Sequence, residues 1–210
     1  MRTTRLLLAT SVLLASFSAA AVDQDQVRDK WHTPYGLYLD PHEAHAMKTA
    51  DPQGVLFIDV RSVPEVQFVG FSEMVDANIP IYAFDPASWK ARGDSEYGHF
   101  RKRRNQSFVG AVDRLLQSRG LDRDAPIILM CTSGGRSPVA ARTLHEAGFG
   151  RVYTQYQGFE GIKAVDGPNK GQRVVNGWRN AGLPWGYRLP TDKMYFNFDP
   201  ASPAAEDPPQ

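Results

Sequence analysis

The stretch that most constrains the fold runs from Ala125 to Gly148, because it reads as a strand, a glycine-rich loop and a helix joined without slack. Ala125 to Met130 is a short apolar run with the β-branched content of a buried strand. Ser137 suits an N-cap, Pro138 suits the first helical position, and Val139 to Ala147 meets no breaker before Gly148. Cys131, the only cysteine in the chain, therefore stands where a strand ends and a helix is about to begin.

Between strand and helix lie Cys131, Thr132, Ser133, Gly134, Gly135 and Arg136. Two glycines let the backbone curl so that successive amide N–H groups point inward, which makes an anion cradle. The positive end of the following helix and the Arg136 guanidinium add to that field and favour a thiolate. A buried structural cysteine beside an ordinary turn is the bland alternative, and the agreement of strand, loop, arginine and helix start argues against it.

The remaining elements alternate. Asp40 can cap, and Pro41 can start, a helix over Leu39 to Ala50, which Asp51-Pro52-Gln53-Gly54 closes. Val55 to Val60 reads as a strand buried on both faces, with Asp59 and Arg61 at its carboxyl end. A strand is expected at Ile79 to Ala83, a helix near Ser107 to Arg119 ended by Gly120, and another strand at Arg151 to Tyr156. This order predicts an α/β fold with a parallel sheet and helices on both faces.

At this point the loop resembles the Cys-x-x-Gly-x-Arg active-site loop of rhodanese (thiosulfate sulfurtransferase) domains. Val55 to Arg61 followed by Glu65 resembles that family's early Asp-Val-Arg strand, and Ala77-Asn78-Ile79-Pro80 its Ala-x-Asn-Ile-Pro strand. Ala147-Gly148-Phe149, Gly158-Phe159-Glu160-Gly161, Trp178 and Ala181-Gly182-Leu183-Pro184 follow in family order. The resemblance spans about Leu37 to Trp185. It implies an open parallel sheet of about five strands flanked by helices. It also implies sulfur transfer through a persulfide on Cys131, with Arg136 as a second catalytic residue. Thr132, Ser133, Gly134, Gly135 and Ser137 would bind the substrate, and Asp59 and Arg61 would support the loop. The implied partners are a small anionic donor such as thiosulfate and a thiol, sulfite or cyanide-like acceptor, with a protein acceptor also open. No cofactor or metal is implied.

Two other readings stay open. A sulfur-carrier or anion-binding module would hold the same intermediate without turnover of its own, or only with a partner. A cysteine phosphatase also uses Cys, an amide cradle and Arg, but its loop is one residue longer than the four-residue gap between Cys131 and Arg136. Ser137, not arginine, stands at the phosphatase spacing, and Met130 precedes the cysteine.

The chain departs from the family pattern in places. Gly70 to Ala77 replaces a turn in which the family commonly has a histidine. Phe84 to Gln106 is a long insert ending in Arg101-Lys102-Arg103-Arg104. It reads either as a basic rim over Cys131 or, from Phe100 onward, as the first turns of the next helix, and solvated charge runs favour the latter. Lys163 to Asn176 is a second insert. His42 and His45 are spaced for one helix face but have no neighbouring ligands, so they are expected to be solvated surface groups.

The ends are of different character. Arg2 and Arg5, the apolar run Leu6 to Phe17 and Ala19-Ala20-Ala21 read as a secretory signal peptide over residues 1–21, cleaved after Ala21. That predicts an exported, periplasmic protein with no stable membrane insertion. Losing it removes two of the 24 basic residues and none of the 23 acidic ones, leaving 22 against 23, a balance with no bulk attraction for nucleic acid. A single cysteine also excludes an internal disulfide and a resolving thiol, so an outside molecule must discharge any intermediate. The expected organisation is an extension over 22–38 anchored by Trp31, Tyr35 and Tyr38, a domain over 39–186, and a tail over 187–210 that is disordered from about Asp199.

Overall fold

The computed structural model describes residues 22–93 and 96–196. The signal-like segment and the Asp199 to Gln210 tail lie outside them. Five short strands form one parallel sheet: β1 (Tyr38–Leu39), β2 (Leu56–Asp59), β3 (Ala77–Asn78), β6 (Ile127–Met130) and β7 (Val152–Gln155), in the order β1-β7-β6-β2-β3. In β2 and β6 every residue is buried, as a sheet covered on both faces requires.

The two layers separate by composition. On one face α3 (Phe108–Ser118) and α4 (Ser137–Glu146) bring Phe108, Val112, Leu116, Ala140, Ala141 and Leu144 against Leu56, Ile58, Ile127 and Leu129. On the other, Ala44 of α1 (Pro41–Ala50) and Val66 of α2 (Val63–Val69) join Phe57, Ile128, Met130, Phe159 and Trp178. The α/β expectation is met, with helices on both faces. Asp40 caps α1 in a capping box with Glu43, and Pro41 takes the first turn, as expected.

Three expectations need correction. Phe84 to Gln106 is not structureless and does not begin a helix: β4 (Tyr82–Ala91) and β5 (Gly98–Arg104) pair as an antiparallel hairpin, with a register shift between Asp85 and Trp89. Pro86, which lacks an amide donor, lies in that shift. The strand expected over Ile79 to Ala83 is instead the two-residue β3, and Tyr82 and Ala83 belong to the hairpin. Finally, α4 begins one residue early: Arg136 is the N-cap and Ser137 the first helical residue, its buried hydroxyl without a partner.

The hairpin leaves the sheet at its carboxyl end. The Ile81 amide donates to Val60, Asn105 closes the hairpin base onto the Pro80 and Ile81 carbonyls, and Arg104 donates to Thr143 on α4. A C-terminal strap also packs on the domain. Phe71 and Gly186 exchange backbone hydrogen bonds, Ser72 donates to the Pro184 carbonyl, and Tyr195 is buried against the α3 side of the core. Phe196, next to it, is exposed. Among the described residues no helix is long and apolar enough to cross a membrane.

Candidate active site

Cys131 follows the last residue of β6 and is 1% exposed. The loop after it turns back on the sulfur: the Gly134 amide lies 3.2 Å and the Arg136 amide 3.4 Å from Sγ. Gly134 has φ +90°, and a Cβ there would stand 1.9 Å from the Tyr156 carbonyl oxygen. Only glycine turns this amide toward the sulfur without displacing the strand end behind it.

The loop is pinned from behind. Phe159 N donates to the Cys131 carbonyl at 2.6 Å, and Glu160 N and Gly161 N donate to the Thr132 carbonyl at 2.9 and 3.0 Å. Beneath lies the pair expected to support the loop. Arg61 donates to Asp59 at 2.6 Å and to the Gly70 carbonyl at 2.8 Å, both charged side chains fully buried, and its guanidinium lies 4.0 Å above the Phe159 ring. Asn78 donates to the Asp59 and Arg61 carbonyls. Arg61 therefore reaches the site through Phe159 and does not touch the sulfur's hydrogen bonds.

The Arg136 side chain does not stand free to meet a donor. Its two terminal nitrogens donate to both oxygens of Glu65 at 2.6 and 2.5 Å, and Thr132 Oγ1 donates to Glu65 at 2.7 Å. Glu65 also accepts from the amide and hydroxyl of Ser62. Burial pushes this carboxyl up, but the hydrogen bonds and charge of Arg136, then Ser62 and Thr132, outweigh it and hold Glu65 far below the usual carboxylate range. For Arg136 burial works against its charge and Glu65 prevails, so the guanidinium is held yet more firmly protonated. Glu65, in sequence only part of the family resemblance, is thus the hub that closes the loop, and Ser62-x-x-Glu65 is the sequence signal for it.

Trp31 had no readable role beyond anchoring. Its ring lies against the glycines, 3.5 Å from where a Gly135 Cβ would be, with Arg28 and Lys30 near its faces at 4.8 and 5.9 Å. Arg142 on α4 holds this segment by donating to the His32 carbonyl. Ser133 and Gly135 lie on the loop beside the Gly134 and Arg136 amides that reach Sγ, and Ser137 is buried at the helix start. His45 is half-buried beside Trp178, at 5.9 Å between rings, rather than fully solvated. No group of three or more metal-ligating side chains occurs among the described residues.

A thiol at a strand end, two amides on its sulfur and a helix start behind them form a site suited to an activated sulfur nucleophile. The model of the rhodanese-like domain matches residues 40–165. The chain belongs to the rhodanese-like family. A crystal structure of Rv0390 from M. tuberculosis is 28% identical, with a TM-score of 0.51 over 72% of this chain and 97% of that one. The solution structure of a polysulfide-sulfur transferase homodimer from Wolinella succinogenes is 23% identical, with a TM-score of 0.37 over 64% of this chain and 77% of that one. A Rhodopseudomonas palustris protein described as a possible tyrosine phosphatase is 19% identical, with a TM-score of 0.39 over 71% and 83%. A search of curated proteins finds no match. As a rhodanese-like chain this one carries the family's mixed α/β architecture on its five-strand parallel sheet.

Proposed function

We propose that the protein is a sulfurtransferase that moves a sulfane sulfur from an anionic donor such as thiosulfate to a thiophilic acceptor through a persulfide on Cys131. The observation that carries this is the pair of amides, Gly134 and Arg136, directed at Sγ within a rhodanese-like loop. The thiolate attacks the outer sulfur of thiosulfate. A sulfur–sulfur bond forms to Cys131 as the bond to the sulfonate sulfur breaks, and sulfite leaves with the electron pair. The terminal sulfur of the persulfide carries the negative charge, which the loop amides are placed to stabilise. A thiolate, sulfite or cyanide then takes that sulfur and restores the Cys131 thiolate. No oxidant is consumed, and without a second cysteine the discharge is intermolecular.

The signal-like residues 1–21 support an exported, periplasmic setting for this chemistry. Intact-mass measurement after incubation with thiosulfate tests the reading. The expected result is a gain of one sulfur, absent from Cys131→Ser and removed by cyanide. Loading without thiosulfate:cyanide turnover would favour the carrier-module alternative, and no loading from thiosulfate or polysulfide would overturn sulfur transfer.

A further inference from the structure

An anionic donor needs positive charge at the mouth of the loop, and Arg136 offers little, since both its terminal nitrogens are taken by Glu65. We propose that Lys102, carried on the β4–β5 hairpin, binds the anionic end of the sulfur donor above Cys131. This rests on the sulfur-transfer reading and assigns to the hairpin the choice of substrate class: small donors that carry a negative charge beside the sulfane sulfur.

The placement follows from the hairpin's attachment. Its base is fixed at the carboxyl end of the sheet, where Cys131 also lies, by the hydrogen bonds of Asn105 to Pro80 and Ile81. Arg104 then lies against α4 through Thr143. Arg136, Val139 and Thr143 follow one face of that helix, at i, i+3 and i+7, leading back to the loop about 10 Å away. Lys102 is two residues from Arg104, so it shares the hairpin face that turns to α4, and it lies about 7 Å further along the strand. Its cross-strand partner is Phe84, whose ring supports the stem with Nζ 5.2 Å from the centroid.

The charges around Lys102 agree with that position. Partial burial and then Arg136 push its pKa down, while Glu65 of α2 and Cys131 pull the other way, so the ammonium lies within the field of these three groups. Two of the neighbouring cations are committed elsewhere. Arg103 faces Asp85 at 3.8 Å and Arg104 faces Thr143. Lys102 has no carboxylate partner within ion-pair distance among the described residues, and it is exposed.

The test separates this proposal from the reading beneath it. In the Cys131→Ser background, which cannot form a persulfide, thiosulfate binding is measured by isothermal titration at low salt. Lys102→Met is expected to weaken binding about fivefold or more, Lys102→Arg to stay within about twofold, and Arg103→Met, on the opposite hairpin face, to stay within about twofold. Unchanged binding in Lys102→Met, an equal loss in Arg103→Met, or no binding by the parent overturns the proposal. Persulfide formation on intact Cys131 is read independently by mass, so sulfur transfer can stand where Lys102 fails. Where it does turn over thiosulfate, Lys102→Met should raise KM and leave kcat within about twofold, because the cation acts on encounter and docking.

Discussion

At the scale of single residues, Gly134 and the Glu65–Arg136 pair set the geometry around the sulfur. Gly134→Ala introduces a Cβ at φ +90° against the Tyr156 carbonyl oxygen, so the backbone must move and with it the amide 3.2 Å from Sγ. Loss of one such preorganised donor costs about a hundredfold in rate, and persulfide loading followed by quenched mass analysis should fall by about that amount. Gly135→Ala serves as comparison, because its nearest neighbour is 3.5 Å away and no positive φ is required. The Glu65–Arg136 pair obeys a different rule. Removing one partner leaves a largely buried charge alone, so Glu65→Gln and Arg136→Met should each cost about 3 kcal/mol in urea unfolding. The double variant should cost clearly less than the sum, since neither charge is then stranded. A strictly additive double variant would show that the two side chains act independently.

Elements differ in how far the sequence disclosed them, and the difference is physical. β2, β6 and α1 were legible because burial imposes continuous apolar runs and because Asp40 and Pro41 punctuate a helix start. The hairpin was not, since both its faces are largely exposed and no hydrophobic alternation marks its strands; Asp85-Pro86 and four consecutive cations obscured them further. At α4 a true local signal was misassigned by one position. Ser137-Pro138 looked like cap and first residue, yet the preceding amide is turned to Cys131, so the loop starts the helix and Ser137 is buried without a hydroxyl partner. The two arrangements separate in one measurement. An N-cap serine replaced by alanine costs about 1 kcal/mol, whereas removing an unpartnered buried hydroxyl is neutral or stabilising. Ser137→Ala should therefore leave the thermal midpoint unchanged or raised.

Over the whole molecule, three segments added to the parallel sheet have distinct duties: Trp31 of the N-terminal segment lies on the loop glycines, Arg104 of the hairpin bonds Thr143 on α4, and the C-terminal strap pairs with Phe71 and joins the core through Tyr195. The loop and its cysteine could be read from adjacent residues. Trp31 could not, because it reaches the loop glycines through long-range packing that leaves no local pattern. Such closure makes global stability depend on the charge state of Glu65, which ties α2 to the loop. Its folded pKa lies below the unfolded carboxyl value of about 4.3, so folded protein binds fewer protons there and its contribution is complete above that value. As pH falls further, protonation favours the unfolded chain and the contribution fades toward the folded pKa. Unfolding free energy attributable to this group should be flat from about pH 8 to 5.5 and decline below about pH 4.5. Glu65→Gln removes the titrating group, so its acid decline should be shallower than that of the parent when urea midpoints are compared across this range. Parallel pH profiles for the two proteins would show that the acid sensitivity does not arise at Glu65.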